Sequence, residues 1–338
     1  MKPVSDLYPL LEQPKQIVVT MHQKPDGDAM GSTLGLFHFV KQFGHTVSVI
    51  SPTNWADFLA WMPGINDVLD YEKNIAACND LLQKADWIFC LDFNTLSRTK
   101  MMEPALAAAP GVRILIDHHQ QPETDKFGYG ISDTTKSSTC EMVYDFIAQS
   151  PFADKLNNEI GQCLYTGIMT DTGSFRFPST TSSVHKIISS LMDNGLDHSK
   201  IHENIFDTSS ESRLRFFGNV LLNRLEVFYE YNTALLTVPF SDLQKYDIKT
   251  GDTEGLVNYP LSIMGIRLAA IIIDRGDVRK MSFRSKGDFD VNVFARTNFN
   301  GGGHKNASGG QSELPLAEVR LQFLNAVKEN STALSTAL

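Results

Sequence analysis

The segment Leu115-Ile116-Asp117-His118-His119-Gln120 places the strongest constraint on how this chain can fold. The largely apolar residues 112–116 predict a buried β-strand, which ends in one carboxylate and two imidazoles. In open α/β sheets, ligands bind in the crevice at the carboxyl ends of the strands. Because successive strand residues point to opposite faces, we expect His118 and His119 to have different roles.

Carboxylates also follow three other predicted elements, two strands and one helix. These elements are predicted at residues 16–21, 86–91 and 158–169. The polar residues that follow them are His22, Asp26, Asp28, Asp92 and Asp171. Further strands and helices alternate with them, for example at residues 46–50 and 75–84, and this alternation indicates a parallel sheet with right-handed crossovers.

In the second half of the chain the predicted secondary structure changes twice, first to a run of helices and then back to strands. Helices are predicted at residues 140–148, 182–194 and 199–206, and an amphipathic connector at residues 213–225. Strands are then predicted at residues 233–238, 264–274, 279–284 and 290–294, before a glycine-rich stretch at 301–310 and a helix at 316–328. We expect an α/β fold with a doubly wound, mainly parallel-sheet N-terminal domain. This domain covers residues 1–200, a helical connector covers 201–225, a smaller α/β domain covers 226–338, and the active site lies in the cleft between the domains.

Composition narrows the class of protein. A chain of 338 residues can form two domains, and it contains neither a membrane-spanning apolar run nor a secretory signal. Its four cysteines form no CxxC pair, so we expect reduced thiols and a cytoplasmic location. The net charge of −9 argues against a protein that holds long nucleic acid, but not against small phosphorylated substrates.

The carboxylates predict a metal site. If Asp26, Asp28, Asp92 and Asp171 met at one edge of the sheet, each pair would repel by about 4 kcal/mol at about 4 Å and an effective dielectric constant of about 20. Two divalent cations would cancel four negative charges. The two imidazoles, His22 and His118, shift the preference from magnesium towards manganese, with cobalt and magnesium as alternatives. We therefore expect a two-metal site of the kind used for phosphoryl transfer to water.

Each motif has a simpler explanation when it is taken alone. The aspartates could be turn residues or helix caps, and the glycine-rich stretch could be a hairpin. Arg98 and the run 137–139 could contact phosphate, or they could be a surface residue and a helix cap. Phe175 and Phe177 could stack on a base or pack in the core. The joint occurrence of carboxylates at cleft-facing ends favours the metal site.

Together these motifs resemble a known family. The pattern His22-x3-Asp26-x-Asp28, the strand-ending Asp92, the Asp117-His118-His119 triplet and Asp171 in MTDTG are similar to the four motifs of the DHH phosphoesterase superfamily. The GGGHKNASGG stretch and the run Ser282-Phe283-Arg284-Ser285-Lys286 resemble the DHH-associated C-terminal domain. The similarity is greatest to the group of bifunctional oligoribonucleases (nanoRNases) and 3′-phosphoadenosine 5′-phosphate phosphatases.

The resemblance implies a role for each motif residue. The ligands of one manganese ion would be His22, Asp26 and Asp92, and those of the other Asp28, Asp92, His118 and Asp171, with Asp92 bridging. Asp117 would orient His118, and His119 would contact the scissile phosphate or protonate the leaving oxygen. The terminal phosphate and nucleotide would be bound by Arg284, Lys286, Gly302, Gly303 and His304.

The function implied by the resemblance is hydrolysis of very short oligonucleotides to mononucleotides, together with conversion of 3′-phosphoadenosine 5′-phosphate to AMP. Partners would be short oligonucleotides and nucleotide phosphates, without long nucleic acid or membrane, and a homodimer could form. A linear or cyclic dinucleotide phosphodiesterase is the nearest alternative, and a non-catalytic nucleotide sensor is another. The GGGH stretch argues against an inorganic pyrophosphatase, and the chain length against an exonuclease of the RecJ kind.

Overall fold

A computed structural model describes residues 1–249 and 251–335 of the chain. The chain divides into two compact units, an N-terminal unit of Met1–Thr208 and a C-terminal unit from Ser209 onward. The boundary falls within residues 201–225, the stretch predicted as a connector. Over the described residues, no helix is long and apolar enough to cross a bilayer.

The N-terminal unit is built on a six-stranded sheet in which all neighbouring strands are parallel. The strands are β1 (Gln16–Thr20), β2 (Thr46–Ser51), β3 (Val68–Asp70), β4 (Trp87–Leu91), β5 (Val112–Asp117) and β6 (Tyr129–Ser132). Their order is β3-β2-β1-β4-β5-β6, so the direction of winding reverses between β1 and β4. This is the doubly wound topology, in which the reversal creates a crevice at the carboxyl ends of the strands.

Helices cover both faces of this sheet because its strands are apolar on both sides. The helices are α1 (Gly27–Lys41), α2 (Ile75–Lys84), α3 (Glu103–Ala108), α4 (Thr139–Ala148), α5 (Asn158–Asp171), α6 (Ser182–Asp193) and α7 (His198–Phe206). Ile17 and Val19 of β1 pack in the core that contains α1, α4 and α5, whereas Val18 packs in the core that contains α2 and α3. Burial on both faces explains the continuous apolar runs that predicted these strands.

Helices α1 and α5 approach each other closely through glycines. A Cβ atom built on Gly31 of α1 would lie 2.4 Å from the carbonyl oxygen of Cys163 in α5. A Cβ atom on Gly167 of α5 would lie 2.8 Å from Oδ1 of Asp28 in α1. Side chains at these two positions would separate the helices, so the glycines bring the start of α1 beside the end of α5.

The C-terminal unit contains a second six-stranded sheet, of order β11-β12-β10-β9-β8-β7. Its elements are α8 (Glu211–Asn223), β7 (Leu225–Phe228), β8 (Thr233–Val238), α9 (Phe240–Lys245), α10 (Asn258–Leu261), β9 (Leu268–Asp274), β10 (Arg279–Ser285), α11 (Val291–Asn298), β11 (Gly302–His304), β12 (Ala307–Ser312), α12 (Leu316–Glu329) and α13 (Ser331–Ser335). Strands β8 and β9 pair in parallel, and the other neighbouring strands pair antiparallel. The predicted α/β class and the two-domain organisation are confirmed.

The strand predicted at residues 290–294 is wrong, because this segment begins helix α11 (Val291–Asn298). Asp290 caps the helix, and its Oδ1 accepts hydrogen bonds from the backbone N–H groups of Asn292 at 2.9 Å and Val293 at 3.0 Å. Val291 and Phe294 are buried at helical spacing, while Val293 is 58% exposed. The alternation of valine and asparagine resembled a strand, but the cap and the spacing of the buried residues determine a helix.

Candidate metal centre

Polar residues follow three neighbouring strands of the N-terminal sheet at their carboxyl ends. His22 lies after β1, Asp92 directly follows β4, and Asp117 closes β5 before His118. Strands β1 and β4 flank the point where the winding reverses, and β5 is the next strand. The sheet topology therefore places these side chains at the edge where doubly wound proteins bind ligands.

Asp26 has two roles at the start of α1. Its Oδ1 caps the helix by accepting hydrogen bonds from the backbone N–H groups of Asp28 at 3.0 Å and Ala29 at 3.1 Å. Its Oδ2 lies 3.9 Å from Nε2 of His22. The helix-cap explanation thus holds for one oxygen, while the other oxygen faces the imidazole.

Asp28 is buried and is held by the first turn of α4. Its Oδ2 accepts a hydrogen bond from the backbone N–H of Thr139 at 2.7 Å, and its Oδ1 accepts one from Cys140 at 2.8 Å. The side chain of Ser138 caps this helix by accepting from the backbone N–H of Glu141 at 3.0 Å. The amides at the start of a helix favour a negative charge, so α4 stabilises a carboxylate that belongs to α1.

Asp92 stands at the centre of the cluster, and its two oxygens face different imidazoles. Oδ2 lies 3.3 Å from Nε2 of His22, and Oδ1 lies 3.4 Å from Nε2 of His118. The hydroxyl of Thr139 donates to the same Oδ1 at 3.0 Å. The backbone of Asp92 has a φ of +62°, a left-handed conformation that few non-glycine residues adopt and that aspartate adopts more readily than most.

His118 is surrounded by carboxylates. Its Nε2 lies 3.6 Å from Oδ2 of Asp28 and 3.5 Å from Oδ2 of Asp171, in addition to its contact with Asp92. Asp171 is the last residue of α5, where the helix dipole disfavours a negative charge. A carboxylate is therefore placed at this helix end against its local preference.

In both His22 and His118, the ring nitrogen Nδ1 faces a backbone carbonyl oxygen. Nδ1 of His22 lies 2.7 Å from the oxygen of Gln23, and Nδ1 of His118 lies 3.4 Å from the oxygen of Lys136. A carbonyl only accepts hydrogen bonds, so Nδ1 carries the proton in the neutral ring and the lone pair lies on Nε2. In both residues Nε2 is the atom that faces the carboxylates, which is the orientation of a metal-ligating histidine.

Asp117 contacts His119, whereas the resemblance implied that it would orient His118. Its Oδ1 lies 2.7 Å from Nδ1 of His119, and it is completely buried. Its Oδ2 has no hydrogen-bond partner among the residues that the structure describes. Burial, with the charge of Asp92, raises the pKa of Asp117 to about 7. The Asp117–His119 pair fixes the ring of His119 beside the cluster.

Two family models match this chain. The DHH family, N-terminal domain, matches residues 16–168, and the DHHA1 domain matches residues 231–331. The chain belongs to the DHH family. The first match contains β1, β4 and β5, together with most of the cluster residues. As a DHH-family member, the chain is a hydrolase that acts on phosphate esters.

Individual proteins are similar to this chain over most of its length. The bifunctional oligoribonuclease and PAP phosphatase NrnA of Bacillus subtilis is 28% identical over 298 residues, which cover 87% of this chain and 88% of that protein. An exopolyphosphatase-related protein from Bacteroides fragilis is 40% identical, with a TM-score of 0.93 and coverage of 98% and 97%. The cyclic-di-AMP phosphodiesterase PdeA of Listeria monocytogenes is 24% identical over 95% of this chain, and the match covers 48% of PdeA.

The charges of the clustered side chains, which are those of His22, Asp26, Asp28, Asp92, His118 and Asp171, show whether metal ions fit. Burial, together with the charges of Asp92 and Asp171, raises the pKa of Asp28 well above its ordinary value. Burial alone would lower the pKa of His118, but the hydrogen bond with Asp92 and the surrounding carboxylates raise it well above the ordinary value. Both raised pKa values reflect an excess of negative charge in this arrangement, and divalent cations would offset that charge.

The donor atoms are also close enough for shared ligation. One ligand atom from each of His22, Asp26 and Asp92 lies within 4.8 Å of the others, and the same holds for Asp28, Asp92 and His118. Asp92 belongs to both groups. Oxygen and imidazole donors without thiolate suit divalent ions such as manganese, cobalt or magnesium, so the residues fit the metals that the motifs imply.

From the sequence, the run Ser137-Ser138-Thr139 could contact phosphate or cap a helix. Ser138 does cap α4, and the hydrogen bond from Thr139 to Asp92 was not predicted. Arg98 also contacts the centre, because its Nη1 donates a hydrogen bond to the backbone carbonyl oxygen of Asp92 at 3.3 Å. Phe175 packs against the hydrophobic core, and the ring of Phe177 packs so closely on Gly173 that an added Cβ would lie 2.4 Å from its Cζ. These contacts of the two rings are packing contacts.

The residues predicted to bind substrate lie in the C-terminal unit, near one end of its sheet. Arg284 of β10 pairs with Ala307 of β12, and Ala307 pairs with His304 of β11. Lys286 follows β10 directly. These strands place the Arg284 and His304 side chains on one face, because residues paired across neighbouring strands point the same way.

The hairpin formed by β11 and β12 itself requires glycine at part of the glycine-rich stretch. A Cβ atom on Gly303 would lie 2.7 Å from the carbonyl oxygen of Ala307, and Gly303 has a φ of +149°. Its N–H group donates to Oδ1 of Asn292 at 3.0 Å. A Cβ atom on Gly302, by contrast, would meet its nearest neighbour at 3.4 Å, an ordinary contact. Packing within the hairpin therefore explains Gly303 but not Gly302.

Proposed function

We propose that this DHH-family chain is a manganese-dependent phosphoesterase that hydrolyses very short oligonucleotides to mononucleotides and also converts 3′-phosphoadenosine 5′-phosphate to AMP. The observation that carries the proposal is the position of Asp92, whose two oxygens face His22 at 3.3 Å and His118 at 3.4 Å. A carboxylate shared in this way is suited to bridging two cations. The similarity to the B. subtilis NrnA, over most of both chains, supports the substrate class.

The metal ligands in this proposal come from the N-terminal unit. They are His22, Asp26 and Asp92 for one ion, and Asp28, Asp92, His118 and Asp171 for the other. Bound divalent ions supply Lewis-acid polarisation of a phosphoryl oxygen and lower the pKa of water. The first turn of α4 keeps Asp28 in place, and the Thr139 hydroxyl does the same for Asp92.

His119 is proposed to contact the scissile phosphate or to protonate the leaving oxygen. The 2.7 Å contact between its Nδ1 and Asp117 orients the ring and leaves Nε2 as the nitrogen directed away from that carboxylate. An imidazole fixed in this way can hold a proton at a defined atom. This role requires Asp117 to act as a positioning residue through His119.

The C-terminal unit is proposed to bind the terminal phosphate and the nucleotide through Arg284, Lys286, Gly302, Gly303 and His304. A guanidinium matches phosphate geometry through paired N–H groups. A binding group for one end of the substrate would limit hydrolysis to short oligomers. The net charge of −9 would also disfavour long nucleic acid.

A length series tests the proposal. The substrates would run from a 5′-phosphorylated RNA dinucleotide to a 24-mer, with 3′-phosphoadenosine 5′-phosphate, cyclic di-AMP and pyrophosphate alongside, in manganese and with EDTA as the control. We expect rapid hydrolysis of the shortest oligomers and of the bisphosphate, and no hydrolysis in EDTA. Rapid hydrolysis of the 24-mer, or of pyrophosphate alone, would overturn the substrate assignment. Parallel titrations with manganese, cobalt and magnesium test the choice of metal.

A dinucleotide phosphodiesterase is the second candidate function. It is favoured by the similarity to PdeA, which covers 95% of this chain. The same metal ligands would serve this activity, so the substrate series separates the two. A faster reaction with cyclic di-AMP than with linear RNA dinucleotides would favour it. The expected homodimer is a further proposal, which sedimentation of the purified chain tests.

A further inference from the structure

Arg267 is a buried arginine of the C-terminal unit. It is 8% exposed, and neither its Nε nor its Nη1 has a hydrogen-bond acceptor among residues 1–249 and 251–335. The ion pair with Lys305 at 2.8 Å, and after it the charge of Arg267, lower the pKa of Asp288, but this carboxylate is fully exposed. A buried cation is costly unless an anion compensates it, so an anionic ligand would stabilise this side chain.

The backbone of Arg267 continues the strand pairing at the start of β9. Its N–H donates to the oxygen of Asn232 at 2.7 Å, and its oxygen accepts from the N–H of Lys286 at 2.9 Å. Because β9 and β10 pair Leu268 with Ser285, the next pair in the same register is Arg267 with Lys286. Arg267 therefore lies directly across from a residue already proposed to bind substrate.

The same register assigns Arg267 to the face that carries the other cationic groups. Ala269, two residues after Arg267, pairs with Arg284. Residues two apart on a strand share a face, and paired residues point to the same side. Arg267, Arg284 and Lys286 consequently lie on one face of the sheet, with His304 reached through the pairing of Arg284 with Ala307.

We infer that Arg267 is a further phosphate-binding residue, which binds a terminal phosphate monoester together with Arg284 and Lys286. This inference rests on the proposed function, which assigns the terminal phosphate to the C-terminal unit. Arg267 is 8% exposed and its Nη2 is not among its enclosed, unpaired atoms, so in this inference Nη2 is the nitrogen that the anion contacts. The phosphate supplies a negative charge beside a side chain whose Nε and Nη1 find no acceptor in the described part of the chain.

Calorimetric titration of the full chain with AMP and with adenosine, both in EDTA, tests the inference. Substitution of Arg267 by methionine should weaken AMP binding by about 10- to 100-fold, the effect of losing a hydrogen bond to a charged group. Adenosine binding should be unchanged, because the ligand has no phosphate. Arg267→Lys retains the charge and should lose less affinity than Arg267→Met. The melting temperature without ligand should not fall in either variant.

Arg279→Met is the matched control, because Arg279 lies at the other end of β10 and pairs with Asp274 at 3.4 Å. Its AMP affinity should equal that of the wild type. Unchanged AMP affinity in Arg267→Met would overturn the inference, as would equal losses for AMP and adenosine with a lower melting temperature. A wild-type chain that does not bind AMP would also overturn it. Because the titrations need no turnover, failure to hydrolyse short oligonucleotides would reject the proposed function separately.

Discussion

Replacement of Gly31 by alanine would test how the contact between α1 and α5 supports the metal centre. In a helix interior this change normally stabilises by about 1 kcal/mol. At Gly31 the new Cβ would lie 2.4 Å from the carbonyl oxygen of Cys163 and 3.0 Å from Sγ of Cys140. The carbonyl is backbone and cannot rotate away, so we expect an overpacking cost of about 3 kcal/mol. The net result is a loss of about 2 kcal/mol.

Calorimetry of Gly31→Ala should show the melting temperature of the N-terminal unit falling by about 5 °C, given about 2–4 °C per kcal/mol for a unit of this size. Manganese affinity should fall as well, because Asp28 lies on α1 and Asp171 on α5. The control is Gly218→Ala in α8, where an added Cβ would meet no described atom within 4 Å. This variant should be neutral or slightly more stable. A Gly31→Ala protein with wild-type melting temperature and manganese affinity would refute the reasoning.

Three further substitutions separate the parts of the site. In calorimetry, Asp92→Asn should abolish manganese binding at one or both of the proposed ion sites, and it should lower kcat by at least about 1000-fold, or about 4 kcal/mol. The control substitution Asp80→Asn, at an exposed residue, should change neither quantity. Retained turnover in Asp92→Asn would contradict the bridging role. Thr139→Val removes the 3.0 Å hydrogen bond to Asp92 and should weaken manganese binding about tenfold. Thr139→Ser keeps the hydroxyl and should restore the manganese affinity. Equal affinities in the two variants would exclude a role of the Thr139 hydroxyl in positioning Asp92. Arg284→Ala should raise KM for short oligonucleotides at unchanged manganese affinity, and a loss of metal instead would be inconsistent with the assignment of substrate binding to the C-terminal unit.

The sequence was sufficient to predict where the candidate metal ligands would meet. Strands β1, β4 and β5 are buried on both faces, and their apolar runs end abruptly at polar residues. The parallel topology then places those ends at one edge of the sheet. Because this logic depends only on local periodicity and strand direction, His22, Asp92 and His118 could be grouped from the order of the amino acids alone.

The partners of these side chains could not be predicted in the same way. Asp117 contacts His119 at 2.7 Å, and this contact depends on how the chain turns after β5. The glycine spacing of Gly27, Gly31 and Gly35 is visible in the sequence, but it does not reveal that α5 is the facing helix. Such contacts depend on tertiary packing, for which a single sequence carries no periodic signal.

The start of α4 explains how this part of the chain can hold several carboxylates so close together. Its first two backbone N–H groups, from Thr139 and Cys140, bind both oxygens of Asp28. The Thr139 side chain binds Asp92. One helical turn therefore fixes two carboxylates that come from α1 and from the end of β4, and the positive end of the helix dipole offsets part of their charge. Neither contact requires a metal ion, so α4 alone can position these two proposed ligands, and the helix supplies the rigidity that a metal centre on loop residues would otherwise lack.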